Sequence, residues 1–311
     1  MSIQLLDQLR FDPSEGTVIR SPEGEGYGYW VGGHKVSYDA ETGRYALFYR
    51  RRSPLEQGRG GTCAVALSSD GIHFDDVWGA TKDDLASTSI EVGHVVPYGD
   101  EWRLYLSYEF APTGEWRIDV LRADRPERFR AQDRRTVLHP RDFGIPWIKD
   151  PVVYVAGARV LLYAEAPARE GVSTDGTRFW AAPQGATVLA ESDDGLYFPS
   201  IEYVFEAPGD DSWHGRRARI NSVFPWGGGM AATFDGGRTS YDNYEEHAGL
   251  AAGADWRSLE RIAAPEPWVT SPHGCVRYVF ALPRDDRILF YYEYTRPDLS
   301  HDLRVSVVET G

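Results

Sequence analysis

The feature that most restricts how this chain can fold is one kind of strand, written several times over. Trp147-Ile148-Lys149-Asp150-Pro151-Val152-Val153-Tyr154 places one carboxylate at the mouth of an apolar run. Runs of the same character open at His34, His94, Ile220 and His273. Each leads from a polar or small residue to a valine and then into a turn, and a second apolar-aromatic run follows the turn. The reference valines, Val36, Val96, Val152, Val223 and Val276, stand 60, 56, 71 and 53 residues apart. A structural unit repeated at such a period implies an array of like sheets. The turn Ser68-Ser69-Asp70-Gly71-Ile72-His73-Phe74 returns as Ser192-Asp193-Asp194-Gly195-Leu196-Tyr197-Phe198, an echo between the first and third units.

Alternating runs such as Trp102-Arg103-Leu104-Tyr105-Leu106-Ser107-Tyr108-Glu109 supply second and third strands within each unit. The frequent aromatics, 32 Gly and 19 Pro support many short strands joined by tight turns. The last unit runs out of chain after three strands, and a lone strand near the start, Val18 to Arg20, can supply the missing edge. The expectation is an all-β chain, a single domain over residues 1–311. It would be one five-bladed β-propeller of four-stranded antiparallel blades starting near 34, 94, 150, 221 and 276, closed by the N-terminal strand.

With 33 Lys and Arg against 47 Asp and Glu, the net charge is −14. A surface of that sign repels phosphate backbones and anionic lipid, so nucleic acid and membranes are not expected partners. No run approaches the ~20 apolar residues of a membrane span. The N-terminal residues lack the apolar stretch of a signal peptide, and two cysteines, Cys63 and Cys275, make no disulfide framework. The expected location is the cytoplasm.

In a propeller, the inner strands begin around one end of an axis and the second strands return to it. Two rings of candidates follow. The first holds His34, His94, Asp150, Asn221 and His273. The second holds Arg50 or Arg51, Glu109, Glu165, Asp235 and Glu293. Glu91, three residues before His94, can reach the same place. Trp30, Trp147, Trp213, Trp226 and Tyr241 are candidate sugar-stacking aromatics, and the polar segment 235–247 is a candidate lid carrying Arg238, Asp242 or Glu245.

The chain resembles the five-bladed propeller glycosidases, the clan of glycoside hydrolase family 43 and the fructan-cleaving families. The resemblance spans Val18 to Val308. It is carried by Lys149-Asp150-Pro151, similar to the third-blade Asp-Pro of that clan, and by Ser271-Pro272-His273-Gly274-Cys275-Val276, similar to its fifth-blade histidine segment. It implies that Asp150 orients the proton donor and tunes its pKa, and that His273 lies on the pocket floor. Two departures stand out. The family's general base should fall near Gly32-Gly33-His34 and its general acid near Arg219-Ile220-Asn221, yet neither stretch holds a carboxylate of the required kind.

Acid-base work would then pass to Asp150 with Glu91, Glu109, Glu165 or Glu293. His34, His94, Asn221, His273, Arg51, Asp235, Trp147 and Trp30 would hold a small, sugar-like substrate. No cofactor is required by this reading. Two alternatives share these residues. His34, His94 and His273 could converge with a carboxylate on a divalent metal ion and support other chemistry. Without a working acid-base pair, the pocket would only bind sugar.

Overall fold

The computed structural model describes residues 7–169, 185–238 and 246–310. Twenty strands run in chain order: β1 (Thr17–Arg20), β2 (Trp30–Asp39), β3 (Arg44–Arg52), β4 (Thr62–Ser68), β5 (Asp75–Thr81), β6 (Ser87–Tyr98), β7 (Glu101–Phe110), β8 (Glu115–Ala123), β9 (Arg135–Leu138), β10 (Lys149–Ala156), β11 (Arg159–Ala166), β12 (Ala186–Ser192), β13 (Ile201–Phe205), β14 (Arg219–Trp226), β15 (Gly229–Gly236), β16 (His247–Gly253), β17 (Leu259–Arg261), β18 (Val276–Arg284), β19 (Arg287–Thr295) and β20 (His301–Glu309). Three sheets are plain four-stranded antiparallel units, β6–β9, β10–β13 and β14–β17. The fourth, of eight strands, runs β18-β19-β20-β2-β3-β4-β5 with β1 antiparallel to β20. Its β2–β20 link is one parallel pair, Trp30 with His301. On either side of that pair lies a four-stranded antiparallel group.

The echoed turn has a physical basis in both places. Ser68 Oγ accepts from the N–H groups of Asp70 and Gly71, and Asp70 Oδ1 accepts from those of Ile72 and His73. Ser192 and Asp194 repeat these bonds around Gly195. Both glycines are left-handed, with φ of +79° and +67°. Each turn also docks on the sheet before it. The Tyr291 hydroxyl of β19 donates to Gly71 O, and the Tyr105 hydroxyl of β7 donates to Gly195 O. The group at the end of the chain therefore abuts β2–β5 through the same contact that joins β6–β9 to β10–β13.

The core lies between neighbouring sheets. Phe48, Val65, Leu104 and Leu106 share one buried cluster; Val120, Leu138, Val153 and Leu162 share another. The first strands of all five groups line one cavity of about 330 Å³, reached at Val36, Val96, Val153, Val223 and Ala281. Periodic apolar positions thus face adjacent sheets, as alternation in a two-sided strand requires.

Each first strand carries a register irregularity within its first few residues. These fall between Gly32 and Lys35, Ile90 and Gly93, Lys149 and Val152, Ile220 and Ser222, and Arg277 and Phe280. Three of them include a residue at left-handed φ: Gly33 (+57°), Asp150 (+58°) and Tyr278 (+54°). For a non-glycine residue this costs roughly 1–2 kcal/mol, and the surroundings hold it in place. Asp150 N–H donates to Ser107 Oγ at 3.0 Å, and Tyr278 N–H donates to Asp235 Oδ2 at 3.0 Å, each reaching the preceding sheet. A bulge re-aims the side chain it carries. Because β2 and β6 run through their bulges, they start at Trp30 and Ser87, earlier than the expected 34 and 94.

Candidate functional site

Three sheets build the same rung at their entrance. Lys149 lies opposite Glu165, Arg219 opposite Asp235 and Arg277 opposite Glu293. The ion pairs measure 3.5, 2.6 and 2.6 Å. Further pairs stitch the rungs together. Arg219 also reaches Asp150 at 3.0 Å and Glu165 at 3.7 Å. Arg217 joins Glu165 (3.4 Å) to Glu246 (2.7 Å), and Arg277 meets Glu246 at 2.8 Å. Glu91 pairs with Arg50 at 3.3 Å and with Arg52. Tyr278 sits in the middle. Its ring centroid is 4.0 Å from the Arg219 guanidinium, 5.3 Å from that of Arg277 and 5.6 Å from that of Arg50, and its hydroxyl accepts from Arg50 Nη2. Lys35 Nζ donates to Asn221 Oδ1 at 3.4 Å.

This is a buried cluster of six carboxylates and a comparable number of cations, and the environments divide the carboxylates. Burial drives every one of them upward. At Glu91 the guanidinium groups of Arg52 and Arg50 outweigh burial and leave the carboxyl well below its usual range. Arg219, Arg277 and Arg217 do the same for Glu246, to about 2. Glu165 is also lowered, by Arg217, Lys149 and Arg219, and Glu293 by Arg277 and His301. Asp150 and Asp235 go the other way. At Asp150 burial, helped by the charges of Glu165 and Glu91, exceeds the pull of Lys149 and Arg219. At Asp235 burial and Glu246 exceed the pull of Arg219. Neighbouring carboxyls pushed apart in pKa are what proton-transfer chemistry uses. Several atoms here have no hydrogen-bond partner: Asp150 Oδ1, both oxygens of Glu165, Glu293 Oε2, Arg50 Nη1 and Arg219 Nε. Buried acceptors and donors that lack hydrogen bonds within one cluster suit a ligand rich in hydroxyls, which offer both.

The sequence-derived candidates divide accordingly. Asp150, Glu91, Glu165, Asp235, Glu293 and Asn221 belong to the cluster. Glu109 does not: it lies opposite Ser89 on β7, half-exposed, and accepts from Thr88 Oγ1. Arg51 points the other way from Arg50, as strand alternation demands, to Glu23 and Asp76. His34 is buried one residue beyond the left-handed Gly33, and burial, then Lys35, lowers its pKa to about 3. His94 lies deeper. Its Nδ1 accepts from Val153 N–H, so Nε2 carries the proton to Ser37 Oγ, and burial again lowers the pKa to about 3. His273 is exposed in the turn before β18, so the pocket-floor position expected for it is not observed. Among the described residues, no group of three or more His, Cys, Asp or Glu is arranged to hold a metal ion. The three histidines expected to converge are instead divided between two environments, His34 and His94 buried and His273 exposed in a turn.

Trp30 is buried, stacked on His301 and beneath Arg277, and Trp147 is buried beside Lys149. Trp213 is buried against Phe234, and Trp226 packs on the β14–β19 core, so neither is a free stacking platform. Tyr241, Asp242 and Glu245 lie outside the described residues. Reading for valines and ring-opening residues missed Arg217, Arg219, Arg277, Arg52, Lys35, Glu246 and Tyr278. A signal for the rungs was present: Lys149 and Glu165, Arg219 and Asp235, and Arg277 and Glu293 are each 16 residues apart.

No protein-family model matches this sequence, and no curated protein matches it. Solved structures do. A thermostable family-43 glycoside hydrolase aligns at a TM-score of 0.65 and 12% identity over 94% of this chain and 91% of its own. The α-L-arabinofuranosidase of Lactobacillus brevis aligns at 0.62 and 12% over 89% and 90%. The β-1,2-mannobiose phosphorylase of Listeria innocua aligns at 0.62 and 14% over 94% and 93%. Across nearly its full length, this chain has the fold shared by these carbohydrate-active proteins.

Proposed function

We propose that this chain is a glycoside hydrolase-like enzyme working at the buried cluster on a small glycoside or sugar-derived molecule. Its sheets form one domain, a five-bladed propeller closed by β1. The cavity lined by five first strands and the matched tyrosine-to-turn contacts support that geometry. The observation that carries the functional reading is the state of Asp150. Its carboxyl is raised in pKa, its Oδ1 is buried without a partner, and Arg219 fixes its other oxygen. A carboxyl shifted in that direction is suited to giving a proton to a leaving oxygen. Glu165, lowered in pKa and held by ion pairs to Lys149, Arg217 and Arg219 with no hydrogen bond on either oxygen, is the partner that takes a proton from the attacking water.

The test is turnover on a glycoside panel. Asp150→Asn should lose about 10²–10⁴-fold in kcat while its circular dichroism spectrum shows the fold retained, and Glu165→Gln should be similarly impaired. Asp150→Asn turnover within a few-fold of the parent would remove Asp150 from the chemistry. Saturable sugar binding by the parent chain with no turnover on any glycoside would leave a binding protein.

A further inference from the structure

We propose that the sugar entering this site carries a carboxylate, and that the cations around the cluster's mouth take it. The inference rests on the reading of the cluster as a sugar site. Its basis is where the charges lie. The chain as a whole is acidic, at −14. At the cluster the balance reverses: Lys35, Arg50, Arg52, Lys149, Arg217, Arg219 and Arg277 stand against Glu91, Asp150, Glu165, Asp235, Glu246 and Glu293, and Arg59 adds a further cation 3.8 Å from Glu91.

The two signs are also layered. Every one of the six carboxylates is at most 2% exposed. The members that keep contact with solvent are cations: the side chains of Arg59 at 31%, Lys149 at 16%, Arg217 at 8% and Arg52 at 7%. Whatever approaches meets positive charge first, with the carboxylates behind it. A neutral sugar gives those cations nothing to neutralise. A carboxylate gives them a charge-assisted, bidentate partner, which an arginine fork prefers. Substrates of this class are uronic acids and their glycosides.

The experiment is calorimetric titration of the full chain with D-glucuronate, D-galacturonate, the neutral D-glucose and D-galactose, and inorganic phosphate. It is run at low and at high salt, beside turnover of matched uronide and neutral aryl glycosides. A uronate should bind at least about ten-fold more tightly than its neutral counterpart, and the preference should shrink as salt screens the rim. Arg217→Gln, which removes one of the solvent-touching cations, should reduce the preference for uronate over neutral sugar. If this variant fails to fold, the salt dependence of the parent chain carries the test. Equal binding of uronate and neutral sugar overturns the assignment, and turnover of neutral glycosides would then leave the hydrolase reading in place. Phosphate binding without uronate binding also overturns it, since the anion would then be inorganic. Preferred uronate binding with no turnover of any glycoside sustains the carboxylate assignment and defeats the hydrolase reading instead.

Discussion

Arg219→Met removes one guanidinium and leaves its partners in place. Arg219 is 1% exposed and is paired with Asp150, Asp235, Glu165 and Glu246, while its face lies over Tyr278. Methionine keeps the unbranched stem, so the main loss is charge. Breaking a buried ion pair from one side costs about 3–5 kcal/mol, because the remaining charge stays buried and uncompensated. For 311 residues, the unfolding entropy of roughly 2.1 cal/mol/K per residue converts this to a fall of about 5–8 °C in Tm.

The deficit should also depend on pH, with a definite sign. Asp150 and Asp235 have folded-state pKa values above their unfolded ones; Arg219 restrains Asp235 and, after Lys149, Asp150. The stability such groups contribute is complete below the unfolded value near 3.8 and is lost as pH rises through the folded value. Removing Arg219 raises the folded values further, so the variant loses more at neutral pH and regains it as acid protonates the pair. Urea unfolding of parent and variant at pH 7 and pH 5 should show the gap narrowing at pH 5, by about 1.4 kcal/mol for each pKa unit gained and titrated. A gap below about 1 kcal/mol, or one equal at the two pH values, would refute the claim that Arg219 holds the cluster together electrostatically.

Glu91, Glu165, Glu246 and Glu293 have depressed pKa values. Their stabilisation is present above the ordinary carboxylate range and is lost as pH falls through the folded values, so the parent Tm should drop between about pH 4.5 and pH 2, and Glu246→Gln should flatten that drop. Gly32→Ala would drive a methyl group into Glu293, and circular dichroism melts should register about 1–3 kcal/mol of overpacking. Arg20 ties β1 to the β2–β5 group through Phe74 O at 2.7 Å and Asp76 at 2.8 Å. If that tie closes the molecule, Arg20→Ala should cost about 1–2 kcal/mol, whereas an unchanged melt would show that closure does not depend on it.

Much of the arrangement is written in the chain, and the part that is not has one physical cause. Strand direction and the meeting of distant strands follow from apolar alternation and from the Ser-Asp-Gly turn, both local features, so the first and second strands of each group could be placed from the sequence. The depth of each side chain could not, because a β-bulge inserts a residue without changing composition. The bulges at Gly33 and Tyr278 shift what faces the axis. At the first, His34 falls beyond the left-handed position. At the last, Tyr278 lies among the guanidinium groups of Arg219, Arg277 and Arg50, while His273, five residues earlier, is exposed. The Asp150 bulge coincides with its Asp-Pro step, a feature visible in the sequence. The cations escaped for a related reason. An arginine at a strand entrance reads as surface until its opposite number is known, and that number is fixed by the hairpin's length. Three hairpins with equal 16-residue separations between cation and carboxylate cannot place both charges at the sheet's entrance by accident of register, since a one-residue slip would send one of them to the opposite face. The equal spacing is therefore the sequence's own record of the cluster. A two-residue insertion into the β10–β11 turn at Gly157, distant from Asp150 in sequence, provides the matching control: it should leave the Lys149–Glu165 register and Asp150-dependent turnover intact, because a strand pair locked by six ladder partners from Lys149 to Ala156 absorbs added residues in its turn.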